Sequence, residues 1–211
     1  MKKQDLLMVG VGGQGVVLAS NILSEAALAD GYDVKKTDTL GMAQRGGSVI
    51  SHVRLADKVF SPLIKAGEVD ILVAFEKLEA ARWSHYLKPG ALAIINNLSL
   101  PPLSVSQGFD KYPSDGEVAG SIKRRTDNIH LIDGSRCEAE LGSARLLNSF
   151  MLGYISLFLP IKVQTLRDMI SQRMPPRIRQ INLDAFDRGR KEVPGHAADE
   201  LPGSPEQIPG S

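Results

Sequence analysis

Cysteine is nearly absent from this 211-residue chain: Cys137 is the only one. A single thiol forms no disulfide framework and cannot by itself assemble a cysteine-rich zinc or iron–sulfur site. It also points to a reducing compartment, and we expect a cytoplasmic protein. Charge of one sign is lacking too, since 25 Lys+Arg stand against 24 Asp+Glu for a net +1. No bulk positive field exists to attract nucleic acid, so no nucleic-acid partner is expected. Long apolar runs are missing as well. The apolar stretch that begins at Leu6 is broken by glycines at 10, 12, 13 and 15, and the one around 150–160 is far too short for a bilayer, so neither a signal peptide nor a membrane span is expected. With 43% hydrophobic and 23% charged residues, the chain has the balance of an ordinary globular domain.

The first 37 residues follow a strand, turn, helix, strand order. Leu6-Leu7-Met8-Val9 is a short continuous apolar run of the kind a buried parallel strand shows. Apolar residues at 16, 19, 22, 23, 26 and 27 have helical spacing, Gly31 suits a helix stop, and 32–37 suits a second strand. The glycine-rich segment 39–47 then forms a loop, followed by a strand over 48–55 that alternates apolar and polar. Ala56-Asp57-Lys58 is placed to turn that strand back onto Val59-Phe60 as a hairpin, which makes the sheet mixed. Further on we expect a strand over 69–75, a helix over 78–87, a turn at Lys88-Pro89-Gly90 and a strand over 91–96. A surface excursion over 99–126, a strand over 128–133 and a helix-rich end over 143–190 complete the domain. The fold class expected is α/β, a mixed β-sheet with a Rossmann-like N-terminal βαβ and flanking helices. Residues 1–190 make a single domain, and 191–211, rich in proline and without aromatics, a disordered C-terminal tail.

Gly10-Val11-Gly12-Gly13-Gln14-Gly15 matches G-x-G-x-x-G between a strand and a helix. Glycines there permit a tight turn and close backbone approach, and helix-start N–H groups attract an anion. The alternative is a turn that needs only backbone freedom. An NAD or FAD site needs a carboxylate near the end of the second strand, and Asp38 is available; the glycine loop and hairpin that follow stand where a second crossover helix belongs. In that loop Arg45, between Gln44 and two glycines, can offer its guanidinium fork to a phosphate or carboxylate, or stay a solvated charge. Ser48, His52 and Arg54 share a strand face, which lines the same cleft or, the reading we favour slightly, forms a wet or interface face of an edge hairpin. Glu76 and Glu79 sit where ligand crevices of α/β sheets lie, or are carboxylates held by a helix N-terminus; the second reading is the commoner one, and Asp133 has the same ambiguity. Trp83, His85 and Cys137 are assigned to packing and surface.

Four segments together carry a resemblance. The glycine turn with Val16-Val17, Met42-Ala43-Gln44-Arg45-Gly46-Gly47-Ser48-Val49 with Ser51-His52-Val53-Arg54, Ala74-Phe75-Glu76-Lys77-Leu78-Glu79-Ala80, and Asn148 before Leu152-Gly153 resemble the gamma-type domain of the 2-oxoacid:ferredoxin oxidoreductases, over about residues 4–190. Length and the Ala-Gln-Arg-Gly-Gly loop are most similar to the small subunit of the indolepyruvate (arylpyruvate) branch. The resemblance implies a cytoplasmic heteromer that oxidatively decarboxylates a 2-oxoacid to an acyl-coenzyme A. Thiamine diphosphate and iron–sulfur clusters are then held by a large alpha subunit, and electrons leave to ferredoxin through the complex. It assigns no catalytic or metal-binding residue to this chain, which is inactive alone. It makes Gly12, Gly13, Gln14, Gly15, Gln44 and Arg45 candidates for a coenzyme A contact. The other readings are a free-standing NAD/FAD dehydrogenase domain and a purely structural partner subunit.

Overall fold

The computed structural model describes residues 3–41, 47–102, 105, 107–109, 111–143 and 145–196. Among these residues a seven-stranded sheet runs in the order β2-β3-β1-β4-β5-β6-β7. Its strands are β1 (Gln4–Val11), β2 (Asp33–Leu40), β3 (Ser48–Ala56), β4 (Val69–Ala74), β5 (Leu87–Asn96), β6 (Ile129–Ile132) and the two-residue β7 (Gly195–His196). The central β1, β4, β5 and β6 are parallel; Leu6–Val9, Ile71–Ala74 and Ala91–Ile95 are apolar runs buried on both faces, as a sheet covered by helices on either side requires, while β6 is buried only at Leu131 and Ile132.

Among the described residues seven α-helices cover the sheet. On one face α1 (Val16–Ala29), α5 (Leu147–Ile155), α6 (Val163–Arg173) and α7 (Pro176–Arg190) pack with Leu6 and Met8 of β1 into the larger core, joined through Cys137 by α4 (Gly134–Leu141). On the other face α2 (Lys77–Trp83) and α3 (Asp115–Lys123) meet Leu7 and Val9. Strict alternation along β1 sorts its residues between the two cores.

The mixed, Rossmann-like α/β sheet is present, but its antiparallel part is assembled differently from expectation. The hairpin is β2–β3, in register from Asp33↔Ala56 to Leu40↔Val49; Val59-Phe60 forms no strand. β3 lies between β2 and β1, antiparallel to both, so the two strands of the opening βαβ are parallel but not neighbours. β3 is therefore an interior strand, and His52 is buried beneath residues 57–68, its Nδ1 accepting the Ile64 N–H at 3.3 Å and its ring edge-on to Tyr86. Arg54 forks onto the buried Asp5 through Nε and Nη2, both at 2.9 Å, and also donates to the Leu63 carbonyl. The expected wet edge is thus a face closed by its own loop.

Three further expectations are corrected. Lys88-Pro89-Gly90 is an irregularity within β5, because Val69 pairs with Leu87 and Ile71 with Leu92. The helix expected over 78–87 ends at Trp83 and gives way to a 3₁₀ turn over Ser84–Tyr86. The excursion after 99 contains α3, capped reciprocally by Ser114 and Glu117. Residues 191–196 continue from α7 to β7, whose His196 and Gly195 pair with His130 and Leu131; 197–211 lie outside the described residues.

Candidate functional site: a crevice at the glycine turn

β1 ends at Val11 on the carboxyl side of the parallel strands, where ligand crevices of open α/β sheets form. Residues 12–15 then turn into α1. Gly13 and Gly15 have φ of 109° and 82°, a left-handed backbone that side chains resist. Gly15 is the N-cap, with no side-chain cap and no acidic residue in the first turn, so the helix start offers free N–H groups and the positive end of a 14-residue helix. A Cβ on Gly13 would meet nothing within 4 Å, so this peptide faces open space, whereas one on Gly15 would press on Asn148 at 3.1 Å.

Gln14 has a different role from its neighbours. Its Oε1 accepts the Val11 N–H at 2.7 Å and its Nε2 donates to the Phe75 carbonyl at 3.0 Å, tying the turn to the end of β4. Gly10 makes room for this, since a Cβ there would meet Gln14 Oε1 at 2.7 Å and the Phe75 Cβ at 2.9 Å. The Phe75 carbonyl also accepts from Asn96 Nδ2 at 3.2 Å, and Asn96 Oδ1 accepts the Gly134 N–H at 2.8 Å. Side-chain amides thus stitch the ends of β1, β4 and β5 to the start of α4 and make the floor of the crevice rigid.

The crevice is about 360 Å³. Gly13, Gln14 and Gly15 form one side, and Arg145, Asn148, Asn182 and one carboxylate, Glu138, whose Oε1 accepts the Leu146 N–H at 3.3 Å, supply the other polar groups. Leu18, Leu98, Leu100, Leu147, Met174 and Ile178 give it apolar walls. Arg145 is exposed and makes no ion pair among the described residues. A cation, a bare helix start and apolar walls suit a ligand with an anionic head and an apolar arm.

Gln44 and Arg45 lie outside the described residues. The base of their hairpin turn is described and is pinned to the glycine turn: Gly12 N–H donates to the Gly47 carbonyl and Gly41 N–H to the Ser48 carbonyl, each at 2.8 Å. Glu76 and Glu79 are fully buried. Glu76 is the N-cap of α2, its Oε2 accepting the Glu79 N–H at 2.9 Å and its Oε1 the Leu100 N–H at 3.1 Å and the Tyr112 hydroxyl. Burial and that carboxylate push the Tyr112 phenol well up from its ordinary value. Asp133 caps α4 through the N–H groups of Ser135 and Arg136. None of the three lines the crevice. No local spacing announces Arg145, Asn148 or Asn182: the turn before α5, the first turn of α5 and the middle of α7 bring them to a glycine turn 130 or more residues away.

The dinucleotide reading loses its carboxylate. Asp38 Oδ1 accepts from Ser51 at 2.6 Å, its Oδ2 is paired with Lys36, and the inserted β3 holds β2 two strand spacings from β1 instead of beside it. Cys137 is buried and its thiol is pushed up to about 11, chiefly by burial, so it is no nucleophile. Among the described residues no group of three or more His, Cys, Asp and Glu could hold a metal ion, and no helix is long and apolar enough to cross a membrane.

Fold and site define an α/β domain whose glycine turn opens on a crevice at the carboxyl end of the parallel strands. The chain belongs to the pyruvate ferredoxin/flavodoxin oxidoreductase family, which it matches over residues 5–192. It is 34% identical to the indolepyruvate oxidoreductase subunit IorB of Pyrococcus horikoshii, covering 90% of this chain and 96% of that one. It is 35% identical to the IorB subunit of Archaeoglobus fulgidus, covering 90% and 94%. Among solved structures, the pyruvate oxidoreductase subunit PORC of Thermotoga maritima shares the fold with a TM-score of 0.68 at 20% identity, covering 91% of this chain and 97% of that one. The 2-oxoglutarate:ferredoxin oxidoreductase of Magnetococcus marinus, solved with 2-oxoglutarate, coenzyme A and succinyl-CoA bound, shares it with a TM-score of 0.70 at 21% identity, covering 90% of this chain and 31% of that longer one.

Proposed function

We propose that this chain is the small subunit of an indolepyruvate (arylpyruvate) oxidoreductase, and that its glycine-turn crevice receives part of coenzyme A. The complex converts a 2-oxoacid, coenzyme A and oxidised ferredoxin to an acyl-coenzyme A, carbon dioxide and reduced ferredoxin. Thiamine diphosphate and iron–sulfur clusters, on the large subunit, supply carbanion stabilisation and electron transfer. One cysteine cannot ligate a four-cysteine cluster, so no redox step is assigned to this chain.

The observation that carries the reading is the pairing of a bare helix start with Arg145, which has no ion pair among the described residues, in an apolar-walled crevice. The Gly13–Gly15 peptides and Arg145 hold phosphate oxygens. Asn148 and Asn182 offer hydrogen bonds, and Leu18, Leu98, Leu100 and Ile178 exclude water from the apolar arm. Gln14 acts from behind, fixing the turn. Gln44 and Arg45, which lie outside the described residues, are the further candidates for the anion contact that the sequence offers. The chain binds and orients the acyl acceptor.

Calorimetric titration of coenzyme A into the assembled complex tests this. Arg145→Ala is expected to weaken binding about five- to tenfold, the loss of one exposed charge-assisted contact, and NAD is expected not to bind. Unchanged affinity in Arg145→Ala together with unchanged affinity in Gly13→Val would overturn the assignment of the crevice.

A further inference from the structure

We infer that Glu79 is a positioning residue for the glycine turn, acting through Ser48 and Gly47. The inference rests on the reading of the crevice as a coenzyme A site.

Glu79 lies in the first turn of α2 and is 1% exposed. The cap of that helix is Glu76, so the helix start does not need a second carboxylate. Burying one costs free energy unless every oxygen is satisfied, and here both are. Oε1 accepts from Arg82 at 2.6 Å; Oε2 accepts from the Ser48 hydroxyl and from Trp83 Nε1 at 3.3 Å. Arg82 and Trp83 belong to the same short helix. Among the described residues Ser48 is the one partner on another element, 31 residues away in sequence.

Ser48 opens β3 and stands in register with Val11, the last residue of β1. The carbonyl just before it, that of Gly47, accepts the N–H of Gly12, the first residue of the glycine turn. Glu79 therefore fixes the strand end from which one flank of the turn hangs. The other flank is fixed by Gln14 to Phe75, four residues before Glu79. Both restraints converge on the segment joining β4 to α2, which clamps the turn from beneath while its open face remains free for the ligand.

The test uses the assembled complex and the variants Ser48→Ala, Glu79→Ala, Glu79→Gln and the Ser48→Ala/Glu79→Ala pair, with Arg145→Ala as an independent probe of the crevice. Ser48→Ala and Glu79→Ala are each expected to raise the KM for coenzyme A roughly three- to tenfold, the worth of one hydrogen bond to a charged group, with kcat at saturation unchanged. The double variant should be no worse than Glu79→Ala. Glu79→Gln keeps an acceptor for the serine and should restore the parent KM. Amide exchange over residues 11–15 of the unliganded complex should quicken in Ser48→Ala and Glu79→Ala while that of β4 and β5 stays put. A KM that rises in Arg145→Ala but not in Ser48→Ala or Glu79→Ala overturns the inference and leaves the crevice reading standing. Additive effects, or a glutamine variant as impaired as the alanine one, overturn it too. If Arg145→Ala and Gly13→Val both leave the KM unchanged, the crevice reading fails instead, and unchanged exchange over 11–15 would then dispose of the clamp as well.

Discussion

Gly153→Ala places one methyl group where two helices touch. Gly153 of α5 and Gly189 of α7 face each other's helix backbones, and a Cβ on Gly153 would fall 2.8 Å from the carbonyl carbon of Phe186 and nearer still to its oxygen. From the other side, a Cβ on Gly189 would fall 2.9 Å from the carbonyl carbon of Phe150. Ordinary contact begins at 3.4 Å, so the helices must separate by more than half an ångström in a region where Phe150, Tyr154 and Phe186 are fully buried. The obstacle is backbone, which cannot rotate away. Alanine gains roughly 1 kcal/mol of helix propensity over glycine, against an overpacking cost of about 1–3 kcal/mol or more. A net loss of about 2 kcal/mol is expected, measured by urea denaturation of the chain or by thermal unfolding of the complex. Gly189→Ala should cost a similar amount, and the double variant less than the sum, because helices parted once accommodate the second methyl. α5 also carries Leu147 and Asn148 into the crevice, so the KM for coenzyme A should rise with the loss of stability. Single variants within about 0.5 kcal/mol of the parent would refute the reasoning.

Two other expectations concern titratable groups. Burial, reinforced by Arg54, lowers the His52 pKa from its ordinary value near 6.5, so the folded state takes up this proton less readily than the unfolded one. The resulting penalty is absent well above pH 6.5 and grows as pH falls below it; unfolding midpoints should drop between pH 7 and 5, and His52→Gln should flatten that slope. A slope identical in the two proteins would contradict the buried, neutral imidazole. Cys137, buried and with its thiol held up to about 11, should resist iodoacetamide at pH 8 in the native protein and react at once in denaturant. Rapid native labelling would contradict the packing of α4.

How much of this was visible in the sequence depends on how local each signal is. β1, β4, β5 and β6 announce themselves as short apolar runs, and α1 by its helical spacing after a glycine turn. The strand order does not, because it is set by pairing across the sheet. Asp33–Leu40 is polar enough to pass for a short edge, yet it pairs along its whole length with β3. Once β3 sits inside the sheet, polar residues that alternation assigned to a wet face must find partners: Ser48 takes Glu79, Arg54 takes Asp5, and His52 takes the backbone of Ile64. The capping box of Ser114 and Glu117 was legible and was overlooked amid prolines and glycines. At the candidate site the glycine turn was legible, but Gln14 was grouped with it as a ligand contact, although its carboxamide is taken up by Val11 and Phe75. Arg145 and Asn182 depend on how α5 and α7 cross at Gly153 and Gly189, a contact that sequence spacing does not encode.

The most direct test is reconstitution. Purified chain, the partner subunit proposed to hold thiamine diphosphate and the clusters, and the two together are assayed for indolepyruvate- and coenzyme A-dependent reduction of ferredoxin. We predict no turnover by this chain, little by the large subunit, and full activity when they are combined, lost again when coenzyme A is omitted. Ferredoxin reduction by this chain alone, or a large subunit whose activity is indifferent to its addition, would contradict the account.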